Sequence, residues 1–146
     1  MPFLIEGVDG AGKSTLVRQL ALPSKHHDRP KGDPYQEYRT SYSSDHFRVF
    51  DRGHISEHIY GPILRLGDRL GRAKGRQLER TLSIKNFVLI ICEPPWDVIC
   101  KHWEPDDIVT NRDQLNEIYW AYKEFYTPIM PMVRYDWTKT SFEAQL

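Results

Sequence analysis

Apolar positions fall into short blocks set apart by polar, glycine- and proline-rich stretches. FLIEG, from Phe3, is an apolar run that ends in glycine, and in the TLVRQLAL that follows, Leu16, Val17 and Leu20 recur at helical spacing. This predicts strand, loop, helix. FRVFDRG (47–53) is a second strand candidate, with Val49 and Phe50 apolar before Asp51. ISEHIYGPILRLGDRL reads as helical, with Gly61-Pro62 expected to break or bend it. Residues 74–84 predict another helix, with Leu78 and Leu82 four apart. NFVLIICEPP is the strongest strand, β-rich and stopped by Pro94-Pro95. WDVICKHW predicts a short helix. RDQLNEIYWAYKEFYTPIM predicts an amphipathic one, with Leu115, Ile118, Tyr122 and Phe125 on one side, and MVRYDWT a last strand. Residues 23–45, polar and rich in Pro, Tyr and Ser, read as a long irregular segment that borders the site.

Strands alternating with helices predict an α/β fold, a doubly wound parallel sheet flanked by helices. A length of 146 residues favours one domain over 1–146. Lys+Arg and Asp+Glu both count 20, and a neutral chain is a poor candidate for bulk, sequence-independent nucleic-acid binding. The two cysteines, Cys92 and Cys100, make no disulfide framework; together with the lack of a visible signal peptide they predict a cytoplasmic setting. The longest apolar run is too short to span a bilayer, so no membrane partner is expected.

GVDGAGKS (7–14) satisfies G-x-x-x-x-G-K-[ST], and it stands between a predicted strand and a predicted helix, as a phosphate-binding (Walker A) loop must. Glycines let backbone N–H groups approach phosphates, and the helix adds its positive N-terminal end. Gly10, Ala11 and Gly12 would cradle the phosphates of ATP, Lys13 would reach the β- and γ-phosphates, Ser14 would give its hydroxyl to Mg²⁺, and Thr15 would help at the α-phosphate. Asp51 ends an apolar strand, where a carboxylate can contact Mg²⁺ through water and orient an acceptor; capping of the next helix is the plainer reading.

EGVDGAGKST, DRGHISEHIYG and LIICEPPWDVI together resemble the thymidylate kinase-like and deoxynucleoside kinase-like P-loop kinases, in particular the short versions that bacteriophages encode. RDQLNEIYWAYKEFY is similar to the helix after that family's lid, so the resemblance covers most of residues 3–126. It implies that Asp9, inside the loop, contacts the 3′-hydroxyl of the acceptor's sugar, and that Arg52 binds the acceptor phosphate and aligns it with the donor. A guanidinium suits that task, because it holds phosphate bidentately. The resemblance also implies that the loop holding Asp136, Trp137 and Thr138 borders the adenine. Two features depart from the family. The base-binding Arg-Glu-Pro-like stretch has no counterpart between 22 and 46, and the lid, about 101–112, is short and acidic.

Ser56 and Glu57 could hydrogen-bond an acceptor's sugar or base, or merely cap a helix. Tyr60 could stack on a base or fill the core. Residues 65–85 are the one clearly basic region, where a solvated helix face is the plain reading; if the helix persists, Arg65, Arg69 and Arg72 share a face, and Arg65 is the candidate for the site. Lys101 and Arg112 flank the lid and could reach the transferring phosphoryl group. Cys92, Cys100 and His102 match no zinc spacing and read as core thiols beside a surface histidine; His26 and His27 read as solvated.

The leading expectation is a kinase that passes the γ-phosphoryl of ATP to a deoxynucleoside monophosphate. The alternative is a hydroxyl acceptor, either a nucleoside or a hydroxymethylated base in phage DNA, for which Asp51, Asp9 or Glu57 would serve as base. A non-kinase switch lacks its signatures, since Asp51 is followed by RGH and TNRD does not follow a strand. The expected partner is a small nucleotide, with DNA and a second copy of the chain as further candidates.

Overall fold

The computed structural model describes residues 1–106 and 108–146; Asp107, within the lid stretch, lies outside the described residues. In chain order the elements are β1 (Phe3–Glu6), α1 (Lys13–Leu20), β2 (Ser24–His26), α2 (Pro34–Ser43), β3 (Val49–Asp51), α3 (Ile55–Leu64), α4 (Arg72–Ile84), β4 (Val88–Cys92), α5 (Trp96–His102), α6 (Arg112–Glu124), β5 (Met132–Tyr135) and α7 (Phe142–Gln145).

The strands form one sheet in the order β2-β3-β1-β4-β5, with every neighbouring pair parallel. A parallel sheet needs helices on its faces, which explains why FLI and LIIC read as unbroken apolar runs rather than alternating ones. Leu4, Ile5, Leu89, Ile90 and Ile91 are completely buried. One apolar layer is supplied by Leu78 and Leu82 of α4 with Tyr38 and Tyr42 of α2, and another by Leu115, Ile118 and Tyr122 of α6 with Ile55 and Ile59 of α3. Phe125 lies at the C-cap of α6, half-buried against the core.

Three expectations change. Residues 23–45 are not irregular: they carry the edge strand β2 and the three-turn helix α2. Asp33 caps α2 by accepting from the Tyr35 N–H, and Pro34 takes the first turn, where its missing N–H costs nothing. Pro62 does not break α3, which runs two residues past it. The helix stops where the Arg65 and Gly67 N–H groups both bond the Gly61 carbonyl and Leu66 turns left-handed. The basic face therefore does not exist. Arg69 turns back to the carbonyls of Pro30 and Gly32, and Arg72 opens a separate helix.

Candidate active site

In an open parallel sheet, ligands gather at the carboxyl ends of the strands, where the chain's crossovers part. Here those ends carry Glu6, His26, Asp51, Cys92 and Tyr135, and the glycine loop leaves β1 directly into α1. Gly7 has φ 149°, and a Cβ there would stand 2.8 Å from the Cys92 carbonyl, so only glycine lets the loop leave the sheet at that point. A cavity of about 860 Å³ opens over the loop. Its walls include Asp9, Lys13, Asp51, Arg52, His26 and Trp137.

The residues of the glycine loop face the cavity. Gly10, Ala11, Gly12, Ser14 and Thr15 line the cavity, with the Ser14 and Thr15 side chains exposed. The Lys13 ammonium is buried and donates to the carbonyls of Gly7 (2.8 Å) and Val8 (2.9 Å). Burial, helped by the nearby Arg52 charge, pulls its pKa down to about 8. An ammonium so poorly compensated would gain from an anion.

Arg52 follows β3 with φ 68°, a left-handed conformation unusual for a side-chain-bearing residue. Its N–H donates to the Ile5 carbonyl (2.8 Å). Its guanidinium pairs with the Asp9 carboxylate, donates to the Tyr60 hydroxyl (3.2 Å) and lies 5.4 Å from the Tyr60 ring centroid. Tyr60 in turn donates to Asp9 (3.3 Å), and burial pushes its phenol up to about 12. Asp9, Arg52 and Tyr60, far apart in sequence, thus form one cluster beside the phosphate loop. Tyr60 is a buried core residue that does not line the cavity; it holds Arg52 and Asp9 from behind and offers no free stacking face.

Asp51 sits at the end of β3 and does not cap α3, whose N-cap is His54. Its Oδ2 lies 3.2 Å from His26 Nδ1, because the parallel register aligns His26 with Asp51. Its Oδ1 is buried without a partner among the described residues. Asp51 lines the cavity, and a carboxylate there with an unpartnered oxygen could serve a hard, hydrated cation such as Mg²⁺, with Ser14 as a second donor.

The remaining acceptor-side candidates divide. Ser56 does not cap: its hydroxyl donates to the Glu6 carboxylate (3.0 Å to either oxygen). Glu57 is buried, with Oε1 3.3 Å from Arg65 Nη1 and Oε2 unpartnered among the described residues. Lys101 and Arg112 are both exposed, at the end of α5 and the start of α6, so the connecting segment spans only 103–111. Cys92 is a buried core thiol whose pKa burial pushes up to about 12, whereas Cys100 is only half-buried. Among the described residues no cluster of three metal-ligating side chains occurs.

Three residues escaped the sequence reading. Glu6 is fully buried and accepts from Gly53 N–H, Ser56 and Tyr122; burial pushes its carboxyl up to about 7 against the opposing pull of Arg52. A charged residue ending an apolar strand was the available signal. His26 is not simply solvated but engages Asp51, and also Asp28 at 3.1 Å. His27 is buried against Tyr38, Tyr42 and Phe50. Neither histidine carries a signal in the sequence, because their placement comes from β2.

The YorR protein of Bacillus subtilis, in complex with phosphorylated GDP, superposes with a TM-score of 0.75 at 18% identity, over 97% of this chain and 88% of that one. The fold is the P-loop kinase fold. Deoxyadenosine kinase from M. mycoides with bound dATP superposes with a TM-score of 0.59 at 16% identity, covering 99% of this chain and 94% of that one. The same enzyme with dCMP and dCDP bound gives 0.58 at 15% identity. No family model and no curated protein matches the chain. The P-loop kinase fold explains why a loop after β1 and a turn after β3 come to share one cavity. No helix among the described residues is long and apolar enough to cross a membrane.

Proposed function

We propose that the chain is an ATP- and Mg²⁺-dependent nucleotide kinase that transfers the γ-phosphoryl group to the 5′-phosphate of a deoxynucleoside monophosphate. The observation that carries this reading is the Asp9–Arg52 pair, backed by Tyr60, on the same cavity as Lys13. Water as acceptor would need no such arrangement. A sugar phosphate would use both of its parts, the guanidinium for the phosphate and the carboxylate for the 3′-hydroxyl. The M. mycoides neighbour, a deoxyadenosine kinase described with dCMP among its products, lends weight to a deoxynucleoside unit in the acceptor, and its name and product favour the hydroxyl acceptor of the second reading below.

Phosphoryl transfer asks for positioning and charge neutralisation more than for covalent chemistry. Lys13 would exchange its two carbonyl partners for the β- and γ-phosphate oxygens of the donor. Arg52 would hold the acceptor phosphate and offset the charge that builds between two anions brought together. Trp137, lying against the phosphate loop at Gly12, offers the donor nucleotide an aromatic wall. Ser14 and Asp51 would hold Mg²⁺, which supplies charge compensation on the donor phosphates when bound. A phosphate monoester is already an anion at neutral pH and needs no strong base.

A second reading keeps the site and changes the acceptor to a hydroxyl, of a nucleoside or of a modified base in DNA. The Asp51–His26 contact favours it, since a hydroxyl must lose a proton and this pair lines the cavity. Labelled ATP offered with each natural and modified deoxynucleoside, each deoxynucleotide, and phage DNA tests both. Label passing to a monophosphate supports the first reading. Label passing only to nucleoside or polymer replaces it with the second.

A further inference from the structure

We infer that Glu6, which does not line the cavity, is the positioning residue for Arg52 and couples that arginine to helix α6 through Tyr122. The inference rests on the reading of Arg52 as the ligand of the acceptor phosphate.

Three groups converge on the Glu6 carboxylate, one from each of three segments. The Gly53 N–H donates to Oε1, the Ser56 hydroxyl reaches both oxygens at 3.0 Å, and the Tyr122 hydroxyl donates to Oε2 at 2.9 Å. Ser56 and Tyr122 also approach each other at 3.3 Å. The carboxylate is entirely buried, so none of these bonds is shared with solvent. Buried acceptors satisfied this fully fix the geometry of their donors.

Those donors include the turn that carries Arg52. Ile5 and Glu6 hold two successive amides, Arg52 through the Ile5 carbonyl and Gly53 through the Glu6 side chain. A left-handed non-glycine residue persists only where its surroundings over-determine it. The turn cannot relax sideways either: a Cβ on Gly53 would fall 2.2 Å from the Tyr42 hydroxyl and 2.7 Å from Leu4. The direction in which the guanidinium leaves the backbone is therefore set by β1. Glu6 also lies three residues before Asp9, the anion to which that guanidinium is paired. The same strand end thus places both partners.

The Tyr122 contact extends the link. Tyr122 belongs to α6, the helix that begins where the 103–111 segment ends. Any shift of α6 with that segment would be felt at the Glu6 carboxylate, and through it at the turn. The segment itself carries no lysine or arginine. A route from α6 to Arg52 gives it a way to act on the acceptor phosphate without a cation of its own.

The test compares wild type with Glu6→Ala, Glu6→Gln and Tyr122→Phe. Steady-state rates give kcat and the KM for donor and acceptor separately. Phenylglyoxal labelling of Arg52, read by mass spectrometry, reports the turn without requiring turnover. A misplaced aligning group costs up to about a hundredfold. Glu6→Ala should lower kcat/KM for the acceptor by about ten- to a hundredfold, leave the donor KM within about twofold, and speed Arg52 labelling. Glu6→Gln keeps an acceptor for Gly53 and should restore most of both readouts. Tyr122→Phe, which keeps the ring and the fold, should give a smaller change of the same kind. Equal damage to donor and acceptor constants, or unchanged Arg52 labelling in folded Glu6→Ala, would overturn the inference. Should Glu6→Ala fail to fold, unchanged labelling in Tyr122→Phe would overturn the coupling. A wild type inert toward every acceptor would count against the proposed function, while the labelling still decides the positioning role.

Discussion

The guanidinium of Arg52 is closed on the carboxylate of Asp9, so the phosphate loop and the turn after β3 neutralise each other across the candidate site. Both groups are about four-fifths shielded from solvent, which makes the contact more than a surface pair. An acceptor phosphate would compete with Asp9 for the guanidinium, and Asp9 would then be free for the sugar. Asp9→Asn should therefore bind a deoxynucleotide and its 3′-deoxy analogue almost equally in calorimetric titrations. Wild type should favour the 3′-hydroxyl by about 1.5–3 kcal/mol, the usual value of a hydrogen bond to a charged group. An unchanged preference in Asp9→Asn would remove Asp9 from acceptor recognition.

Lys13 is desolvated and held only by two backbone carbonyls. Its burial is a cost to the folded protein that only a bound polyphosphate would recover. Lys13→Met should leave the melting temperature of the free protein equal or higher. Transfer should nevertheless slow by about a hundred- to a thousandfold, or about 3–4 kcal/mol, in line with the loss of other preorganised donors. Calorimetry and initial rates on one preparation check both halves. A destabilised variant that still transfers phosphate would contradict the assignment.

Glu57 keeps one buried oxygen without a partner, while the other meets Arg65. A buried unpaired acceptor is expensive, and a base edge rich in N–H donors would satisfy it. Glu57→Gln replaces that acceptor with an amide that also donates. The order of preference among acceptor bases should change while the donor KM stays constant. Competition assays with the four deoxynucleoside monophosphates measure it. An unaltered order would leave Glu57 as a purely internal partner of Arg65.

What the sequence revealed and what it hid have physical reasons. The phosphate loop and β4 were legible because a glycine cradle and a fully buried parallel strand each leave a local pattern. Helix α2 was not, because its buried face consists of Pro34, Tyr38, Ser41 and Tyr42 and so reads as polar, although Asp33-Pro34 held the signature of a helix start. The Asp9–Arg52 pairing rests on two segments whose proximity only the sheet order supplies; the resemblance to known kinases suggested their roles, not their contact. His26 and His27 depend on the register of β2 against β3, which a three-residue edge strand does not announce. Pro62 misled because a proline near the end of a helix removes one bond and leaves the last turn intact.

Two buried groups, His27 and Glu6, should give stability an unusual dependence on pH. The Arg52 carbonyl can only accept, so the His27 Nδ1 at 2.9 Å carries the proton, and Nε2 is left bare within the aromatic shell. Burial lowers its pKa to about 4 from 6.5. The unfolded chain then binds the extra proton first, and stability contributed by neutral His27 is full above pH 6.5 and is lost as pH falls toward 4. Glu6 acts in the opposite sense. Burial raises its pKa from 4.5 to about 7, so the folded chain holds the proton longer, and stability is lost as pH rises from 4.5 to about 7. Each contributes a slope of about 1.4 kcal/mol per pH unit, and over their shared range the two oppose each other. His54, buried and likewise lowered, adds to the acid side. Urea denaturation between pH 4 and 8 should show stability rising with pH in wild type from about pH 4.5 to 6.5, less steeply than the two histidines alone would give because Glu6 opposes them. Glu6→Gln should steepen that rise, and His27→Phe should flatten it. Parallel curves for all three proteins would mean that neither group is held as the structure holds it.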